Sequence, residues 1–127
     1  MIVSEETLRS MSALALAHVG DGIYDLLVRR ELCRRGTLTA GELHRQTVRH
    51  VSAPAQAAAA NRIIPVLSEA EAAVFRRGRN AHSHAAPRAA TEGEYHMATG
   101  LEALFGWLYL REENERIEEL FSYVMED

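Results

Sequence analysis

The sequence is poor in the features that mark secreted, membrane-spanning or β-rich proteins. Its single cysteine, Cys33, can form no internal disulfide, so the reducing cytoplasm is the expected compartment. That thiol is expected to be buried or half-buried, as free cysteines usually are. No apolar run approaches the roughly 20 residues of a membrane span; the one from Ala13 is broken by His18 and Asp21, and no membrane partner is expected. The opening MIVSEETLRS has acids where a secretory signal would place lysines ahead of an apolar core. Alternating polar and apolar stretches are nearly absent and β-branched residues are sparse, which argues against a sheet. There is no internal repeat and no linker-like stretch. The 127 residues fit one domain, 1–127, with a single core.

Helix signals fill the space that strand signals leave. Ser4 can cap a first helix that buries Leu8 and Met11, and a longer helix follows over 13–31, ended by Gly36. Three capping boxes are spaced as the motif requires: Thr39 with Glu42, Ser68 with Glu71, and Thr91 with Glu94. Ser52 with Pro54 in the first turn opens the alanine-rich APAQAAAANRII. A last amphipathic helix places Ile117, Leu120, Phe121 and Val124 on one face. The expectation is an all-α domain with an exposed basic loop, RNAHSHAAPRAAT, before the helix that starts near Glu92.

The stretch ALALAHVGDGIYDLLVRRE is apolar around nearly its whole circumference, so its helix should be central. It nevertheless carries Gly20 and Gly22, each costing about 1 kcal/mol relative to alanine inside a helix. Over 13–28 its polar groups, apart from the Tyr24 hydroxyl, are His18, Asp21 and Asp25, and they fall in one narrow stripe. The second apolar helix, MATGLEALFGWLYL, repeats the pattern: Leu101, Leu104, Phe105 and Leu108 form a core face, and Glu102 stands off it between Thr99 and Gly106. Carboxylates converging from two buried helices suit a hard cation such as Mg²⁺, with the glycines clearing space at the site. Pairing with arginines or solvent remains the competing reading of the stripe.

These segments carry a resemblance. HVGDGIYDLLVRREL is similar to the signature helix of the ribonuclease III catalytic domain, and VSAPAQA, FRRGRNA and YHMATGLEALFGWLYL resemble further landmarks, in order, of that family's short form. The resemblance covers 13–119. It implies the all-helical ribonuclease III fold, a homodimer, and a Mg²⁺-dependent endonuclease for double-stranded RNA, with Mn²⁺ as a substitute. For the short form it implies cytoplasmic trimming of the large-subunit (23S) ribosomal RNA precursor without a separate RNA-binding domain, and leaves open a ribosomal protein on the precursor as a further partner. By position, Asp21 and Glu102 match the essential acids and would hold metal, with Asp25 a third candidate. Where the larger enzymes have additional acids, this chain has Leu14, Ala17 and Thr99. The alternative is a non-catalytic RNA-binding assembly factor on the same fold.

Net charge is −4, so an RNA-binding surface must be local. No acid occurs between Glu71 and Glu92, while Arg76, Arg77, Arg79 and Arg88 do, with Asn80, His82 and His84. Guanidinium groups suit phosphates, and Asn80 suits a 2′-hydroxyl; cations at a helix C-terminus also favour its dipole. His82, His84 and His96 lack the cysteine or carboxylate companions of a zinc site. Gln46, Gln56 and Tyr95 are further candidates for a substrate surface, with packing and dimer roles equally open. Cutting both strands of a duplex in one encounter needs two sites related by a two-fold axis, and the 13–31 helix is the candidate interface.

Overall fold

The computed structural model describes residues 1–81 and 90–125. The described residues form seven α-helices: α1 (Glu5–Ser10), α2 (Ala13–Arg34), α3 (Ala40–Val51), α4 (Ala53–Ile63), α5 (Glu69–Arg79), α6 (Glu92–Leu110) and α7 (Asn114–Phe121), with a 3₁₀ turn at Ile64–Val66. Among the described residues there is no strand, so the all-α expectation stands.

Side-chain caps set most of the helix starts. Ser4, Ser12, Thr39, Ser52, Ser68 and Thr91 each accept from a backbone N–H three residues on, a contact worth about 0.5–2 kcal/mol apiece. The capping box is complete at Ser68 and Glu71 and at Thr91 and Glu94. At Thr39 only half of it forms, because the Glu42 carboxylate accepts instead from Arg45 and Gln46. Helix α2 runs on to Arg34. Gly36, at φ 98°, takes the left-handed conformation just past its end, where the Gly36 and Thr37 N–H groups donate to the Cys33 and Leu32 carbonyls.

Helix α6 is the axis of the fold, with α2, α4 and α5 packed around it. Leu101, Leu104, Phe105 and Leu108 are fully buried, as their spacing predicts. Tyr24 of α2 meets Phe105 and Phe121 edge-on at 5.6 and 6.4 Å between ring centroids. Helix α7 is tied to α5 by a forked pair in which Arg116 Nε and Nη2 donate to the buried Glu71 carboxylate at 2.8 Å each. Arg62 Nε and Arg35 Nη2 hold the chain after α7 by donating to the Tyr123 and Met125 carbonyls at 2.7 and 2.8 Å.

Two expectations fail along the second half of α2. Cys33 is exposed, because the last turn of α2 presents that side to solvent. Leu26, on the nearly all-apolar helix, is 62% exposed: the neighbouring helices wrap only part of the α2 circumference.

Candidate active site

The site is set by how α2 crosses α6. A Cβ at Gly20 would fall on the carbonyl oxygen of Glu102, and one at Gly106 on the carbonyl oxygen of Leu16, so the two backbones touch through paired glycines. The reading that both glycines of α2 clear room for a ligand is therefore corrected. Gly20 and Gly106 are filled by the opposing helix, and only Gly22 has open space where a side chain would stand.

This crossing carries Asp21, the next residue after Gly20, to Glu102. Their carboxyl groups lie within hydrogen-bond reach of one another. Asp21 is exposed and Glu102 half-buried. Burial first, and then the charge and hydrogen bond of Asp21, push the Glu102 pKa up to about 8. Gln56 of α4 acts the other way, its Nε2 donating to Glu102 Oε2 at 3.5 Å. One turn along α2, Asp25 is half-buried; burial and the Asp21 charge raise its pKa against the pull of Arg29, whose Nη2 stands 3.8 Å away. Asp25 is thus both a neighbour of the pair and a helix-surface ion pair. Under the pair, the Tyr24 hydroxyl is buried with no hydrogen-bond partner, and desolvation pushes its pKa upward.

Among the described residues, no cation is one of the groups acting on Glu102. Among the described residues no cluster of three or more histidine, cysteine or acidic side chains has metal-binding geometry. The donor set is accordingly two carboxylates, close together and lacking positive charge. That composition fits a hard divalent cation, which takes oxygen ligands, keeps several waters and needs only one or two protein carboxylates. Thr99 adds nothing to it, since its buried hydroxyl donates to the Tyr95 carbonyl of its own helix at 3.0 Å.

The cationic end of α5 lies beside the same part of α6. A Cβ at Gly78 would stand 2.7 Å from the Ala103 Cβ and 3.1 Å from the Thr99 carbonyl, which brackets the turn bearing Glu102. Arg76, Arg77 and Asn80 are exposed there and Arg79 is half-buried. Among the described residues none of the three arginines pairs with a carboxylate: Arg77 reaches the Met11 carbonyl at 3.4 Å and Arg79 the Asn80 Oδ1 at 3.3 Å. His82, His84 and Arg88 lie outside the described residues, and His96 is exposed. Gln46 is held by Glu42 and Thr37. Gln56, by contrast, belongs to the site, and the signal for it was its position as the only polar side chain between Ser52 and Asn61.

An all-helical fold with an acidic pair at a glycine crossing and a cationic helix end beside it defines a class. Residues 14–113 match the ribonuclease III domain, and the chain belongs to the ribonuclease III family. Within that family it is similar to proteins named Mini-ribonuclease 3. The one from Symbiobacterium thermophilum is 45% identical over 113 residues, 89% of this chain and 87% of its own length. The one from Thermoanaerobacter sp. is 40% identical over 121 residues, 95% of this chain and 85% of its own. In three dimensions the chain is similar to the crystal structure of protein FN1578 from Fusobacterium nucleatum, with a TM-score of 0.85, 31% identity, and 94% and 97% of the two chains covered.

Proposed function

We propose that the chain is a Mg²⁺-dependent endoribonuclease that cleaves double-stranded RNA in the cytoplasm and matures the ends of the 23S ribosomal RNA precursor. The observation that carries this reading is the meeting of the Asp21 and Glu102 carboxyl groups where α2 crosses α6, with no cation acting on Glu102 among the described residues. Asp21 and Glu102 hold the metal through their carboxylate oxygens, and Asp25 orders the water around it or stays with Arg29. When bound there, Mg²⁺ supplies an activated water and stabilises charge on the phosphate and the leaving oxygen; Mn²⁺ can take its place. To bind a cation Glu102 gives up the proton that burial and Asp21 favour. Arg76, Arg77 and Arg79 bind backbone phosphates with forked hydrogen bonds, and Asn80 meets a 2′-hydroxyl; His82, His84 and Arg88, outside the described residues, are further RNA-binding candidates by their sequence. The exposed Leu14 and Leu26 on α2 form part of a two-fold homodimer contact that presents one site to each strand.

The test is cleavage of a ribosomal RNA precursor duplex, with and without Mg²⁺, by wild type and Asp21→Asn. Wild type is expected to cut only with Mg²⁺. Asp21→Asn should lose on the order of 10³-fold or more in rate, the equivalent of several kcal/mol of metal-borne charge stabilisation, while still binding the duplex in Ca²⁺. Near-wild-type cleavage by the variant would sink the assignment. Duplex binding by wild type without cleavage would favour a non-catalytic assembly factor.

A further inference from the structure

Six of the eleven residues of helix α4 are alanine; Ala57, Ala59 and Ala60 are buried, and the helix packs on α6. Small side chains bring the two backbones close, and one long polar side chain crosses the gap. Gln56 is only 3% exposed, and its Nε2 donates to Glu102 Oε2. A buried amide is costly unless it finds a partner; here the partner is one of the two carboxyl groups assigned to the metal. The contact adds a donor without adding charge. An arginine or lysine in its place would orient Glu102 equally well but would neutralise the carboxylate and compete with a cation for it.

We propose that Gln56 is a positioning residue for metal binding: its neutral amide holds Glu102 Oε2 and leaves the other carboxylate oxygen for a divalent cation shared with Asp21. The inference rests on the proposed metal-dependent activity and adds a determinant of metal affinity from a third helix. At 3.5 Å the contact is long. Hydrogen bonds to ionised acceptors are shorter, so the pair has room to tighten once a cation keeps Glu102 ionised.

Gln56→Met keeps the length of the side chain and removes the donor; Gln56→Ala continues the alanine character of α4 and serves if the first variant does not fold. Each would be compared with wild type by calorimetric titration with Mn²⁺, by melting without metal, and by cleavage across a Mg²⁺ series. The expected result is a 10- to 100-fold weaker Mn²⁺ affinity, the usual consequence of losing an outer partner of a metal ligand (about one to two decades). The half-saturating Mg²⁺ concentration should rise by the same factor, the maximal rate should recover at high Mg²⁺, and metal-free melting should stay close to wild type. Wild-type Mn²⁺ affinity in a folded variant would overturn the positioning role, as would a loss of rate that high Mg²⁺ does not restore. If wild type itself binds no Mn²⁺ and cleaves without Mg²⁺, the metal-dependent reading fails, and the Gln56 proposal with it; if wild type passes and the variant matches it, only the Gln56 role fails.

Discussion

Helix α6 is crossed at close range twice, by α2 at Gly20 and Gly106 and by α5 at Gly78 and Gly100. Both crossings use a glycine on each helix, and Gly100 and Gly106 lie a little under two turns apart on α6. The α2 crossing carries Asp21 and Glu102, and among the described residues no cation acts on Glu102. The α5 crossing is lined by Phe75, Ala103 and Thr99, and it ends in arginines without acids. One packing device therefore sets opposite charges side by side. The acidic pair suits a metal, and the cationic end suits the polyanion that the metal would act on.

The crossings can be broken separately. A side chain at Gly20 meets backbone atoms of Glu102 and Gly106, which cannot turn away. Gly20→Ala should cost about 3 kcal/mol or more, at or beyond the upper end for overpacked cores, and should abolish activity by parting Asp21 from Glu102. Gly78→Ala meets the Ala103 methyl first, at 2.7 Å, and should cost less, about 1–2 kcal/mol. Gly22→Ala is the control: nothing lies within 4 Å, and the gain in helix propensity should leave stability equal or higher by about 0.5–1 kcal/mol. Urea denaturation of the three variants measures the order directly. A Gly20→Ala protein as stable as Gly22→Ala would mean that the α2 crossing is looser than described.

Two acids elsewhere on these helices, Glu71 in the first turn of α5 and Glu102 on α6, should also respond to pH in opposite senses. On α5, Arg116 holds the Glu71 carboxyl below the usual range; its contribution is present above the ordinary value near 4.5 and is lost as pH falls through the lowered pKa. Glu102 is raised from 4.5 to about 8. Its protonated native form contributes stability that is fully present below pH 4.5 and is lost as pH rises through about 8. Metal-free protein should therefore melt progressively lower between pH 6 and 8.5, by several degrees, since roughly 3–6 °C corresponds to 1 kcal/mol in a chain of this size. Glu102→Gln, or saturating Mg²⁺ on wild type, should remove that slope. A pH-independent melting point in the metal-free protein would show that Glu102 is ionised and already compensated.

Much of this fold is legible in the sequence. The caps at Ser4, Ser52, Ser68 and Thr91 are local chemistry, and each starts its helix where the residue pattern places it. The all-round apolarity of α2 and the spacing of Leu101, Leu104, Phe105 and Leu108 marked the two central helices. What the pattern could not tell is which neighbour a given face meets. Gly20 and Gly22 stand two residues apart, about 200° around the helix; one is pressed on α6 and the other faces open space. The exposure of Cys33 and Leu26 has the same origin, since hydrophobicity says what can be buried and only the arrangement of helices says what is. The Gln56 contact depends on how closely an alanine helix approaches, a tertiary quantity. The buried Thr99 hydroxyl, at a position where the larger enzymes have an acid, donates to the Tyr95 carbonyl, a contact internal to α6.

The smallest expected effect sharpens the cationic side of the comparison. Arg77 and Arg79 make only a carbonyl contact and a contact to Asn80, so Arg77→Ala with Arg79→Ala breaks no ion pair among the described residues. Folding stability should stay within about 0.5 kcal/mol of wild type, as for surface changes away from packed or capped positions. If the two side chains neutralise phosphates, each releases close to one counterion on binding, and the plot of log affinity against log salt should flatten by roughly one to two units. Cleavage at saturating RNA should fall far less than in Asp21→Asn, because Asp21 and Glu102 on α2 and α6 are untouched. An unchanged salt slope would separate the α5 end from the RNA. It would leave its arginines with the single task of closing a helix whose carbonyl end favours positive charge.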